Sequence, residues 1–152
     1  MRAELTIGPG DSKLEIEERD GRRQLRNINH IALYVRDLEG VREFFQRFFG
    51  ADSNGGYHNP KTGLRSYFLS FADGAKLELM SRPDTADAPK ELRRTGYIHL
   101  SFSAGGKQAV EELTEKLRQA GYPVLDGPRT TGDGFYESLV LGPEENQIEI
   151  TE

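Results

Sequence analysis

Four residues of this chain have the types and the spacing to hold a metal ion. His30 stands in "NINHIALYV" and His99 in "YIHLSF", while Glu78 stands in "KLELM" and Glu149 in "QIEIT". Glu78 follows His30 by 48 residues, and Glu149 follows His99 by 50. Singly, a strand histidine is more often solvent-facing or satisfied in a core than a ligand. A glutamate between two leucines is usually the wet half of an alternating strand. The same pair recurring at nearly the same spacing lifts all four above that reading. The chain has no cysteine, which removes disulfides, thiolate nucleophiles and Cys-held zinc or iron–sulfur centres. Nitrogen and oxygen donors remain. Two neutral imidazoles and two carboxylates balance one divalent cation (Zn²⁺, Ni²⁺, Fe²⁺, Mn²⁺ or Co²⁺) and leave positions open for water or substrate.

These residues need strands to present them. "INHIALYVR" alternates, with Asn29, Ile31, Leu33 and Val35 on one face and Ile28, His30, Ala32 and Tyr34 on the other. "DLEGVREFFQRFFG" then reads as an amphipathic helix: Asp37 is the N-cap, Val41, Phe44, Phe45, Phe48 and Phe49 form the apolar stripe, and Gly50 ends it. "SNGGYHNPKTG" reads as a loop, and "LRSYFLSF" and "AKLELM" as strands joined at "ADG". After the polar stretch "SRPDTADAPKELRRT" the order begins again. "YIHLSFS" is a strand, "GGKQAVEELTEKLRQAG" is a helix with Val110, Leu113, Leu117 and Ala120 on one stripe, "RTTGDG" is a turn, and "FYESLVL" and "NQIEI" are strands. A period near seventy residues occurring twice points to two fused, similar modules rather than a solenoid.

Parity sharpens the expectation. Leu77 and Leu79 flank Glu78, Ile148 and Ile150 flank Glu149, Ile98 and Leu100 flank His99, and Asn29 and Ile31 flank His30. If those neighbours pack under the helices, all four His and Glu side chains point to the opposite side of the sheets, and two sheets curled together bring them into one cleft. His58, in the glycine- and asparagine-rich loop, has no counterpart in the second half and is expected at the surface.

The 152 residues suffice for one domain with a sizeable core. A net charge of −5, with 20 basic residues scattered among 25 acidic ones, argues against nucleic acid as a partner. The start "MRAELTIGPG" lacks the apolar core of a signal peptide, and no run approaches the length that spans a bilayer, so a soluble, cytoplasmic protein without a membrane partner is expected. Residues 1–26 are charged and glycine-punctuated; "KLEIEERDGRR" could form a short exposed strand and turn, and its role is left open.

The segments "NHIALYVRDLEGVREFF", "KLEL", "GYIHLSF", "GPRTTGDGFYES" and "ENQIEI" resemble the vicinal-oxygen-chelate superfamily of glyoxalase I, fosfomycin and bleomycin resistance proteins and extradiol dioxygenases. The resemblance covers residues 27–152 and implies an α+β fold of paired βαβββ modules with curled mixed sheets around a metal cleft. Module one is expected over 27–81, a connecting arm over 82–94 and module two over 95–152, after an N-terminal extension, 1–26. His30, Glu78, His99 and Glu149 match the His-Glu-His-Glu ligand form of bacterial glyoxalase I. The resemblance therefore implies a metal-dependent lyase or isomerase that moves a proton through an enediolate, with Glu149 as the base and Glu78 as its symmetric partner. The substrate implied is a small molecule, a thiol–aldehyde hemithioacetal such as that of glutathione and methylglyoxal, and relatives are often homodimers.

Departures bear on the substrate. Tyr34 stands where the family commonly grips glutathione with arginine, and Arg82 stands where it often has asparagine. Arg94 and Arg129 lie near other anion-gripping positions without matching them. Arg82, with a planar guanidinium suited to a carboxylate, and Tyr67, on a hairpin strand, are with Tyr34 the candidate substrate-binding residues. Two other readings stay open here. A small-molecule binding or resistance protein would generally lack the full ligand set, and a non-haem iron dioxygenase would use two histidines and one carboxylate.

Overall fold

The structure, a computed structural model, describes residues 28–152. The extension over 1–26, with its expected strand and turn, lies outside the described residues. The first half comprises β1 (Ile31–Tyr34), α1 (Leu38–Phe49), β2 (Asp52–Ser53), β3 (Tyr57–Asn59), β4 (Leu64–Ser70) and β5 (Lys76–Ser81). The second comprises β6 (His99–Ser103), α2 (Lys107–Gln119), β7 (Val124–Thr130), β8 (Tyr136–Leu141) and β9 (Gln147–Thr151). β1 runs parallel to β5 and β6 parallel to β9, while the other neighbours are antiparallel. The strand orders are β1-β5-β4-β2, with β3 also on β4, and β6-β9-β8-β7. This is an α+β fold of two open, mixed sheets. The two strands that begin at or just after a candidate histidine, β1 and β6, are both sheet edges.

Local chemistry explains the helix ends. The Asp37 side chain accepts the Gly40 N–H at 3.0 Å, and Gly50 ends α1 at φ 64°, a left-handed conformation that costs glycine little. α1 buries Val41, Phe44, Phe45 and Phe48 beside Leu69, Leu77 and Leu79 of its sheet. α2 buries Val110, Thr114 and Leu117. Ala120, expected on that stripe, is instead exposed because the helix stops at Gln119, and Thr114 takes the inner position. Its hydroxyl shares a 2.6 Å hydrogen bond with the buried Ser138 and reaches the Val110 carbonyl at 2.6 Å, so the polar pair is satisfied in the core.

The loop expected over 53–63 contains strand structure. β2 and β3 are two pieces of one broken strand along β4, interrupted where the Asn54 side chain accepts the Phe68 N–H at 3.0 Å and the Gly56 N–H at 3.2 Å. Gly56 has φ 80°, and a Cβ there would lie 2.6 Å from the Tyr67 ring, so glycine is required. β7 also escapes the hydrophobic pattern: Gly127 and Pro128 break its alternation, and its register against β8 shifts twice.

One apolar core joins the halves. Phe102 of β6 stacks near Phe45, Phe49 and Phe71 at 6.0, 4.3 and 5.2 Å, and Tyr122 meets Phe44 and Phe48 at 4.8 and 5.8 Å. Polar ties reinforce it. Glu144, in the turn between β8 and β9, accepts the Arg36 and Asp37 N–H groups at 2.7 and 2.8 Å, at the start of α1. The irregular segment between β5 and β6 is tied to both halves through Arg36–Asp87 at 2.7 Å and Lys90–Asn146 at 3.1 Å. Among the described residues no helix is long and apolar enough to cross a membrane. Phe45 is buried at the centre of this joint, so Phe45→Ala is expected to lower unfolding free energy by about 3 to 5 kcal/mol in urea denaturation. A loss under 1 kcal/mol would mean that the joint contributes little.

Candidate metal centre

Register decides which side chains share a face. Ala32 lies opposite Glu78 on β1 and β5, and Ser101 lies opposite Glu149 on β6 and β9. His30 precedes Ala32 by two residues, and His99 precedes Ser101 by two, so each histidine sits diagonally from its glutamate on the same face. Leu77, Leu79, Ile148 and Ile150 are buried on the opposite, helix-covered face. Ile31 departs from the expected packing: it is 44% exposed, because β1 is an edge strand.

The resulting pairs match closely. His30 Nε2 lies 3.5 Å from Glu78 Oε2, and His99 Nε2 lies 3.6 Å from Glu149 Oε2. Side-chain exposures are 34 and 18% in the first pair and 35 and 19% in the second, so the repetition extends to solvent environment. Two donors on one Zn²⁺-like ion at about 2.1 Å lie about 3.0 to 3.5 Å apart in octahedral or tetrahedral geometry, so each pair fits a shared cation with little movement. His30 Nδ1 is 2.8 Å from Asn29 Oδ1; with the proton on Nδ1, Nε2 presents its lone pair towards Glu78.

The single four-residue cleft expected from the sequence does not form within one chain. Among the described residues no three His, Asp or Glu side chains gather into a metal-holding group. The reason is topological: the halves are joined through their helix-covered faces, with α1 against Phe102 and Tyr122, while both His–Glu pairs are on the other faces. Each module carries one His–Glu pair on its own sheet face.

The surroundings of the pairs differ. In the first, Phe68 lies opposite Glu78 and its ring meets the His30 ring edge-on at 5.2 Å. In the second, Leu139 takes the place of Phe68, Ser101 that of Ala32 and Glu137 that of Ser66. The Ser101 hydroxyl donates to Glu149 Oε1 at 2.6 Å. Ser101, Asp133, Phe135, Glu137, Glu149 and Thr151 line a groove of about 390 Å³. Burial first, then the Glu149 charge, push the Glu137 carboxyl above its usual range, with Arg129 and His99 opposing. Sequence reasoning missed Ser101 and Glu137. The signal was parity: Ser101 stands two residues after His99, and Glu137 alternates with Tyr136 and the buried Ser138.

The expected substrate-binding residues fall in two places. Tyr34 and Arg82 meet in a groove of about 350 Å³ with Asp84, Thr85 and Ala86. Tyr34 is four residues beyond His30, about 13 Å along a strand. Asp84 occupies the Arg82 guanidinium through two hydrogen bonds, 2.8 and 3.0 Å, which hold the Asp84 carboxyl below its usual range. Arg82 is thus not free to grip a carboxylate while that pair holds. Tyr67 does not face the His30–Glu78 pair. It lies opposite Leu79 on the helix side, donates to Glu39 at 3.0 Å and carries the Arg42 guanidinium 4.5 Å above its ring. Arg129 is paired with Asp126, Arg94 is exposed, and His58 is exposed on β3.

Fold and paired half-sites together define a two-module α+β protein with a candidate metal face on each module. Residues 27–150 match the glyoxalase/bleomycin resistance protein/dioxygenase superfamily, and the chain belongs to it. The protein YqjT of Bacillus subtilis (strain 168) is 32% identical over 127 residues, covering 81% of this chain and 96% of its own. The glyoxalase family protein of Enterococcus faecalis superposes with a TM-score of 0.69 at 19% identity, over 84% of this chain and 98% of that one. The trypanothione-dependent glyoxalase I of Leishmania major does so with a TM-score of 0.68 at 20% identity, over 84 and 87%. At these identities the two structures speak to the fold.

A carboxyl whose pKa rises on folding costs the native state stability above its unfolded value; the cost is complete above the raised native value and absent below about pH 4, where both forms are protonated. Metal-free Glu137→Gln is therefore expected to melt above the unsubstituted protein at pH 8, with the difference vanishing as pH falls through the carboxylate range. A lower melting temperature at pH 8 would contradict this placement of Glu137.

Proposed function

We propose that this protein is a metal-dependent lyase or isomerase of the glyoxalase I type, acting on a small molecule with two adjacent oxygens. The observation that carries the reading is the repetition of one His–Glu pair, its glutamates at the same register on equivalent strands and its distances within 0.1 Å of each other. Members of the superfamily typically bind a divalent metal, and His30, Glu78, His99 and Glu149 are the residues proposed to hold one here. A bound ion would supply Lewis acidity that acidifies the C–H between two substrate oxygens. Glu149 takes that proton and returns it to the neighbouring carbon, with Glu78 as its counterpart in the other half. The histidines would hold the ion. The substrate proposed is a thiol–aldehyde hemithioacetal; because Asp84 engages Arg82, the thiol need not be glutathione.

Each chain offers two half-sites on faces turned away from its own joint, so the complete site is proposed to form between two copies, module one of each facing module two of the other. A two-fold dimer of this kind has two equivalent sites. Metal analysis is expected to find one divalent ion per chain in the purified protein and none in His99→Ala. Mixing His30→Ala with His99→Ala chains is then expected to restore about a quarter of the wild-type metal, since half the dimers are mixed and each has one intact site. No recovery on mixing would refute the site shared between copies, and a protein that takes up no metal would refute the lyase. Formation of S-lactoylglutathione from methylglyoxal and glutathione tests the thiol. Silence there with metal bound removes glutathione alone.

A further inference from the structure

The two half-sites are built on one plan, yet one position separates them at the carboxylate. Opposite Glu149 stands Ser101, and at the same register opposite Glu78 stands Ala32. The Ser101 hydroxyl donates to Glu149 Oε1 at 2.6 Å, within the range of a charge-assisted O–H···O⁻ bond. The other oxygen, Oε2, is the one 3.6 Å from His99 Nε2. Among the described residues Glu78 makes no hydrogen bond, and its one ionic contact is His30. Ser103, two residues further on the same strand and face, opposite Thr151, has no side-chain hydrogen bond among the described residues. The contact is thus specific to the residue beside the candidate ligand.

We infer that Ser101 is a positioning residue that makes the half-sites non-interchangeable: it holds Glu149 by Oε1, so that Oε2 alone is offered to the metal. This rests on the metal-site reading above. Glu78, facing a methyl group, is free to present either oxygen or both. A carboxylate fixed by one oxygen would donate to an ion through the other, and the hydroxyl would keep that oxygen aimed in one direction. Glu149 is therefore the carboxylate held in one orientation, and Glu78 the less restrained of the two. The hydroxyl changes no bond in the reaction; its contribution is orientation, as with hydrogen-bond partners behind other metal ligands.

The test uses the full chain stripped of metal and titrated with Co²⁺, following calorimetric affinity and the visible absorption band, which reports the number and geometry of ligands. Ser101→Ala is expected to weaken Co²⁺ binding by about ten- to a hundredfold. Its absorption band is expected to shift as Glu149 turns, while the metal-free melting temperature stays that of the unsubstituted protein. Ser101→Thr, which keeps the hydroxyl, is expected to restore affinity and band, and Ser103→Ala to match the unsubstituted protein throughout. Unchanged affinity and spectrum in Ser101→Ala would overturn the positioning role while leaving the metal site standing. An unsubstituted protein that binds no Co²⁺ would remove both.

Discussion

In β5 and β9 one carboxylate stands between two residues that the core needs: Leu77 and Leu79 around Glu78, Ile148 and Ile150 around Glu149. Successive strand side chains leave opposite faces, so burying those four residues directs both glutamates to the other side. The parallel pairing of β1 with β5 and of β6 with β9 then sets which histidine each one meets. A slip of one residue in either ladder would bury a glutamate and expose an aliphatic core residue, a cost that pins the register. Core and candidate site are thus two faces of the same constraint.

The joint between the modules follows from the same division of labour. The apolar stripe of α1 also meets the other half, Phe44 and Phe48 through Tyr122 and Phe49 through Phe102. Glu144 adds a carboxylate at the start of α1, where N–H groups lack partners and the helix dipole favours negative charge. Because the modules meet through the helix-covered sides, the faces that carry His30 and His99 remain outside this contact. That leaves the two His–Glu pairs apart, and it accounts for the absence of a gathered group of the four residues among the described residues.

The two halves repeat the His–Glu pair without repeating its surroundings. The first half-site is bordered by Ala32 and Phe68 and stiffened by a ring-to-ring contact, the second by Ser101 and Glu137 with a hydroxyl on the carboxylate. Aromatic packing restrains the histidine of one pair, and a hydrogen bond restrains the glutamate of the other. Each pair has a different member held firm, which suits a reading in which the two glutamates have unequal tasks.

Much of this was legible in the chain itself. The two helices, the alternating strands and the His–Glu repetition depend on local periodicity and on matched sequence spacing, and these need no knowledge of distant contacts. β2, β3 and β7 were harder, since each is a strand by virtue of its partner: Asn54 and the Gly127–Pro128 step interrupt the alternation that would have revealed them. Tyr67 shows the limit for site residues. Its position on a hairpin strand was readable, but its face was settled by pairing with Leu79, which turns it towards Glu39 and Arg42. Residue types and their order determined which donors exist and that they come in two like pairs. Tertiary structure alone decided that Ser101 backs one glutamate, that Asp84 takes Arg82, and that the pairs stay apart in one chain. Those outcomes depend on strand register and on which faces the aromatic core draws together, and neither is a property of any single segment.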